Sequence, residues 1–328
     1  MKIDTNYYQA PQPERWTGRN DGTNDNQQRW HQSVQLLDLH QAVPPVAPNS
    51  IAFLGFASDE GVKRNEGRPG AAFAPPTIRS ACANFPVISG TSLFDAGDIL
   101  CYDNNLEEAQ QQLAIAVQQL LQAGIFPILL GGGHEITFGH YFGLQQQNPS
   151  ESIGIINFDA HFDLRKPGTN GISSGTGFWQ IAQECERTLS PFHYLALGIQ
   201  ASANTPELFE RANELGVRYI LDGQLNPIHL DQASQSLQHF CQQANHLALT
   251  IDMDVFSAAY APGVSAVNPK GLNPDYIFDH LLSTILLSGK VRSIDIAEVN
   301  PTYDIDGRTA RLAARLIFDI INLIGRSL

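Results

Sequence analysis

Cysteine, methionine and basic residues are all scarce in this chain. Its four cysteines, Cys82, Cys101, Cys185 and Cys241, are scattered through 328 residues with no CxxC pair, which argues against a zinc ribbon or a thioredoxin-type redox motif. Lys and Arg number 20 against 33 Asp and Glu, giving a net charge of -13. So acidic a chain offers no broad basic surface for nucleic acid or an anionic membrane. No apolar run approaches the roughly 20 residues that cross a bilayer. The opening segment, Met1 to Arg29, is polar and lacks the core of a signal peptide. A Walker A loop and an internal repeat are missing as well. These absences leave a soluble, cytoplasmic protein with a small-molecule partner as the expectation.

What is present is an ordinary globular composition, 43% hydrophobic and 16% charged, with enough chain for a large core. Short apolar runs alternate with helical patterns from residue 51 onward, the rhythm of a mostly parallel α/β sheet. The runs Ile51 to Phe56, Ile125 to Leu130, Ile153 to Phe158 and Leu247 to Ile251 are almost continuously apolar, as strands covered on both faces are, and Val291 to Ile296 is taken as a fifth strand although Arg292, Ser293 and Asp295 interrupt it. Helices are expected over Leu106 to Gln122, Pro206 to Leu215 and Thr309 to Leu323, the first two bounded by cap residues and a closing glycine. The division expected is a polar N-terminal arm over 1–45 and a single catalytic domain over 46–328.

In open α/β sheets the ligand crevice lies beyond the carboxyl ends of the strands. There the sequence places Gly131-Gly132-Gly133-His134-Glu135, Asp159-Ala160-His161-Phe162-Asp163, Asp252-Met253-Asp254 and Ala297-Glu298. One acid after a strand is commonly a helix cap, and one His a satisfied polar residue, but recurrence at four strand ends is not explained that way. Spacing by two puts Asp159, His161 and Asp163, and likewise Asp252 and Asp254, on one face of an extended chain. Four aspartates crowded against apolar strands would cost several kcal/mol per unpaired ion, a penalty that bound cations remove. Carboxylates and imidazoles without thiolate form a hard donor set that favours Mn2+ over structural zinc. Two such ions would ionise a water near neutral pH and supply a nucleophile without Ser or Cys. The glycines of 131–133 are expected to make the tight turn that delivers His134.

These motifs, GGGHE at 131–135, DAHFD at 159–163, DMDVFSAAYAPG at 252–263 and Glu298 in DIAEVNP, closely resemble those of the ureohydrolases, the manganese enzymes that include arginase, agmatinase and formimidoylglutamase. The resemblance covers about residues 50 to 325 and implies a three-layer, arginase-like fold with helices on both faces of the sheet. It implies two Mn2+ per subunit: one held by His134, Asp159, Asp163 and Asp252, the other by Asp159, His161, Asp252 and Asp254. Hydroxide would attack an amidine or guanidine carbon, with Glu298 accepting hydrogen bonds from the cationic N–H groups of the substrate. Related enzymes are commonly trimers or hexamers, so a homo-oligomer is expected.

Within the family, agmatinases and arginases carry a histidine for proton transfer after the central acid motif. Here that segment reads Ser173-Ser174-Gly175-Thr176, with Ser174 in the place of the histidine, which is similar to formimidoylglutamases. Trp16 to Gly22 and Asp59 to Ala71 also resemble segments of those enzymes. The resemblance implies manganese-dependent hydrolysis of N-formimidoyl-L-glutamate to formamide and L-glutamate, as in histidine degradation. Such a substrate carries two carboxylates, for which Arg165 is the expected partner because a guanidinium fork matches carboxylate geometry. Asn170, Ser173 and Ser174 are expected to complete those contacts. With the histidine gone, Asp163, a water on the metals or His140 remain as proton sources. The alternatives are a guanidino-acid hydrolase or agmatinase releasing urea, and a metal-binding homologue without turnover.

Overall fold

The structure, a computed structural model, describes residues 2–22 and 24–327. Ten strands form one sheet: β1 (Tyr8–Gln9), β2 (Gln35–Leu36), β3 (Ser50–Ala57), β4 (Ser92–Leu100), β5 (Phe126–Leu130), β6 (Ile153–Phe158), β7 (His193–Ile199), β8 (Arg218–Leu221), β9 (His246–Asp252) and β10 (Val291–Ala297). Their order is β1-β4-β3-β5-β10-β9-β6-β7-β8, with β2 also pairing β4. β1 runs antiparallel to β4, and the other strand pairs are parallel. All five runs singled out in the sequence are strands, and the helices lie at Leu106–Gln122, Pro206–Glu214 and Arg308–Ser327.

Alternation along the strands assigns side chains to two faces. Phe53, Ile128, Ile156, Leu249 and Ile294 enter one cluster with Ile78, Phe240, Phe278 and Ile317 from helices Ala74–Cys82, Leu230–Gln242, Tyr276–Leu286 and Arg308–Ser327. Leu54, Leu129, Ile155 and Ala248 point the other way, toward helices Leu106–Gln122, Ile136–Gln147 and Gly177–Thr188. The result is helix, sheet, helix, the three-layer arrangement expected. No helix among the described residues is long and apolar enough to cross a membrane.

Parts of the N-terminal segment lie against this sheet. β1 and β2 both pair with β4, and the buried Trp16 and Trp30 pack on Phe53 with ring centroids 5.6 and 5.8 Å away. Trp16 Nε1 donates to Asp95 Oδ2 at 2.7 Å. Arg79, fully buried, reaches Asp95 at 2.8 Å and Asp98 at 2.6 Å, and Arg15 adds a second guanidinium to Asp98. Polar composition hides this docking because a few aromatic and charged side chains carry it.

Candidate active site and metal centre

Four adjacent central strands, β5, β10, β9 and β6, end at the same rim of the sheet and deliver the residues read from the sequence. After β5 the chain turns through Gly131 and Gly132 with φ of 57° and 91°. A Cβ on Gly132 would lie 2.5 Å from the Phe56 carbonyl oxygen, so the turn that presents His134 needs glycine there. Asp159 directly follows β6, and Asp252 is the last residue of β9. Each uses its Oδ1 to accept the backbone N–H two residues on, His161 at 2.7 Å and Asp254 at 2.8 Å.

That detail corrects the expectation of extended chain at these motifs. Beyond the last ladder bond the backbone N–H groups lose their strand partners, and the aspartates satisfy them by turning the chain. Met253–Val255 is a single 3-10 turn, and Asp163 has a left-handed φ of 47°. The metal-ligand types still converge, through turns. Glu298, after β10, is likewise left-handed at φ 64°, an uncommon conformation for a non-glycine residue.

His134 Nδ1 lies 2.9 Å from Asp163 Oδ2, 3.1 Å from Asp159 Oδ2 and 3.3 Å from Asp252 Oδ2. His161 Nδ1 lies 3.0 Å from Asp254 Oδ2 and 3.5 Å from Asp159 Oδ1. Two groups of potential ligands result: His134, Asp159, Asp163 and Asp252 in one, and Asp159, His161 and Asp254 in the other, with Asp159 common to both. No Lys or Arg forms an ion pair with these aspartates among the described residues. Three carboxylates around one imidazole in a buried pocket carry more negative charge than that imidazole can neutralise, and nitrogen and oxygen donors suit a divalent cation. The residues present therefore fit a metal pair.

The titration of the cluster expresses the same deficit. Burial works against charge on His134, but hydrogen bonds to Asp159 and Asp163 outweigh it and raise its pKa well above the ordinary value. His161 is raised too, against burial, by Asp254 and Asp159. Asp252 is pushed up by burial and by Asp254 and Asp159, and Asp163 by burial and Asp159. In Asp159 the hydrogen bonds from His134 and His161 overcome burial and hold the carboxyl below the usual range. Burial, with Glu135 and Asp254 nearby, raises Glu298 to about 8. Glu298 Oε1 accepts the His134 N–H at 2.9 Å, while its Oε2 is buried with no hydrogen-bond partner.

A cavity of about 220 Å3 opens over these groups, lined by His134, His161, Asp163, Asp252, Asp254 and Glu298 and also by Arg165 and Ser174. Arg165 has no carboxylate partner among the described residues, and its backbone N–H is fixed to Gly175 at 2.9 Å. Two expected substrate contacts are not at this cavity. Asn170 is exposed, and its amide donates to the Arg64 carbonyl at 3.2 Å; Ser173 is turned into the helix start, its N–H bonded to Thr176 Oγ1 at 2.9 Å. His140 is also displaced as a proton source, being 1% exposed and bonded to Asp295 and Ser293 beneath the site. Asn65, Asn204 and Ser265 line the cavity without having been singled out as site residues. They come from three loops, and no local spacing marks them.

Comparison with known proteins agrees with this geometry. The model of the arginase family matches residues 49–322. A formimidoylglutamase of Geobacillus thermodenitrificans is 43% identical over 318 residues, covering 96% of this chain and 97% of the relative. One from Chromobacterium violaceum is 44% identical over 307 residues, covering 93% and 96%. Among solved structures, formimidoylglutamase from Bacillus subtilis superposes with a TM-score of 0.76 at 24% identity, covering 87% of this chain and 89% of the other. Trypanosoma cruzi formiminoglutamase, solved with Mn2+, gives 0.72 at 23%, covering 85% and 94%. Family model, near-complete relatives and the grouped acids at the sheet rim lead to one statement: the chain is an enzyme that belongs to the arginase family.

Proposed function

We propose that the protein hydrolyses N-formimidoyl-L-glutamate to formamide and L-glutamate. The observation that carries this reading is that the buried Glu298 carboxylate and the Arg165 guanidinium line one cavity over the ligand groups, in a chain 43–44% identical to formimidoylglutamases along almost its whole length. His134, Asp159, Asp163 and Asp252 would hold one Mn2+, and Asp159, His161 and Asp254 the other, with Asp252 as a second bridge. When bound, such a pair lowers the pKa of water to near neutrality and so supplies the nucleophile.

The chain's own residues account for recognition and orientation. Glu298 Oε2, buried and without a partner, is the acceptor for an N–H of the cationic formimidoyl group, and its low-dielectric setting strengthens that charge-assisted bond. Tethering of Oε1 to the His134 N–H fixes the carboxylate, so the substrate carbon is held in one place over the cluster. Arg165, which lines the same cavity, is assigned to the glutamate carboxylates, and its charge would repel the aliphatic ammonium of agmatine. Water adds across the C–N bond: the carbon leaves as formamide, and the nitrogen takes a proton as the amine of glutamate. Asp163, a carboxylate that lines the same cavity, is the residue to which we assign that proton. The same reading includes a cytoplasmic enzyme working as a homo-oligomer.

The test is incubation of Mn2+-loaded protein with N-formimidoyl-L-glutamate, arginine, agmatine and 4-guanidinobutyrate, assaying formamide, glutamate and urea. Formamide with glutamate from the first substrate alone is the expected result. Urea from a guanidino compound would move the enzyme to another branch of the family. Arg165→Ala should raise KM for formimidoylglutamate about 10- to 100-fold, the loss of one charged carboxylate contact, with kcat changed far less.

A further inference from the structure

Beneath the ligand groups, on the side away from the cavity, runs a buried chain of hydrogen bonds that the proposed reaction does not use. His134 Nε2 is 2.9 Å from Thr250 Oγ1, Thr250 Oγ1 donates to Asp295 Oδ1 at 2.6 Å, and Asp295 Oδ2 is 2.6 Å from His140 Nδ1. His140 Nε2 ends the chain on Ser293 Oγ, also at 2.6 Å. Thr250, Ser293 and Asp295 are fully buried and His140 is 1% exposed. Ser293, His140 and Asp295 have the connectivity of a serine hydrolase triad, yet none of them lines the cavity, so nucleophilic catalysis is excluded by access. Thr250 and Asp295 are register partners on β9 and β10, and His140 reaches them from helix Ile136–Gln147.

Counting protons along this chain gives it a direction. An ionised carboxylate only accepts, and both oxygens of Asp295 are engaged, one by Thr250 and one by His140. A threonine hydroxyl has one proton, and here it is committed to Asp295. Toward His134 the hydroxyl oxygen can therefore only accept, so His134 must present Nε2–H. In the neutral imidazole that can coordinate a metal ion, Nδ1 is then the nitrogen with the lone pair, on the side of Asp159, Asp163 and Asp252. We propose that Asp295 and His140, acting through Thr250, are positioning residues that set the His134 tautomer and thereby prepare Nδ1 to bind a metal ion. Second-sphere partners of this kind orient ligating imidazoles and commonly change metal affinity by about 10- to 100-fold.

The inference rests on the metal-centre reading, and metal titration separates the two. Wild type, Thr250→Val, Thr250→Ser and Asp295→Asn are titrated with Mn2+, following free ion by electron paramagnetic resonance, after circular dichroism and urea unfolding in chelator. Thr250→Val keeps the side-chain shape and removes the relay, so it carries the test if Asp295→Asn does not fold. The expected result is about a 10- to 100-fold loss of affinity for one ion of the pair in Thr250→Val and Asp295→Asn. The second ion should hold within about threefold, and Thr250→Ser should restore the first. A purely structural role would lower stability in chelator without dividing the two affinities. Wild-type affinity for both ions in folded variants would overturn the inference, as would failure of serine to restore what valine loses. Absence of Mn2+ binding by wild type would overturn the metal-centre reading itself.

Discussion

Two groups of buried aspartates lie on one sheet and have their charges met by opposite means. On β4, Asp95 and Asp98 face Arg79 at 2.8 and 2.6 Å, with Arg15 added from the N-terminal segment. At the rim of the central strands, Asp159, Asp163, Asp252 and Asp254 face two imidazoles. The first group is closed: its cations are covalently part of the chain, it lines no wall of the catalytic cavity, and it fastens the N-terminal segment to the core. The second is open, because two imidazoles cannot neutralise four carboxylates and keep a lone pair for coordination. A buried cluster that the chain leaves undercompensated points to what must be added from outside.

The comparison can be broken at the open group first. Asp254→Ala should lower kcat/KM for formimidoylglutamate by roughly a thousandfold or more, about 4 kcal/mol of transition-state stabilisation, with loss of one Mn2+ by elemental analysis and a preserved circular dichroism spectrum. Breaking the closed group should act on folding. Arg79→Met leaves Asp95 and Asp98 without their buried partner, and urea unfolding should show about 3 to 5 kcal/mol of lost stability, which added Mn2+ does not return.

A pH series sharpens the contrast. Burial raises Glu135 to about 7 and Glu298 to about 8 from 4.5. Each thus favours the folded state most when protonated, below about pH 4.5, and that contribution is lost as pH rises through about 7 and 8. Asp159, whose pKa is lowered, adds stability already complete above its unfolded value of 3.8, so it does not offset the loss. Metal-free protein should lose a few kcal/mol between about pH 5 and 8.5 by calorimetry in chelator, and Mn2+ should flatten the profile. Asn170→Ala, outside both groups, sets the baseline: its amide bonds the Arg64 carbonyl on the surface, and kcat/KM should change less than about twofold.

How legible each region was in the sequence follows the same division. β5, β6 and β9 are mostly apolar and β10 carries Ile294 and Ile296 between its polar residues, and all four are covered by helices, so their runs and the polar residues that end them could be read directly. β4, Ser92–Leu100, reads Ser-Leu-Phe-Asp-Ala-Gly-Asp-Ile-Leu; the acids interrupt the apolar run, and their partner Arg79 lies in another element. Helix Ile136–Gln147 buries Ile136, Thr137, Gly139, His140, Tyr141, Gly143 and Leu144, which leaves little amphipathic contrast to detect. The ligand types were visible because they cluster within motifs. Asn65, Asn204 and Ser265 were not, since only tertiary folding brings their loops over the cavity. Asn170 and Ser173 illustrate the converse: closeness in sequence to the site did not turn their side chains toward it.

The position of β10 bears on how the protein is made. β10 lies between β5 and β9, joining a half-sheet built from earlier strands to one built from β6 through β9. Until residues 291–297 have emerged from the ribosome, the native pairings of β5 and of β9 with β10 cannot form. His134 then belongs to one half and Asp159, Asp163 and Asp252 to the other, with no strand pairing between the halves. The expected consequence is that the site assembles late in biosynthesis, with insertion of a central strand, and a nascent chain stalled before that point should carry no assembled site.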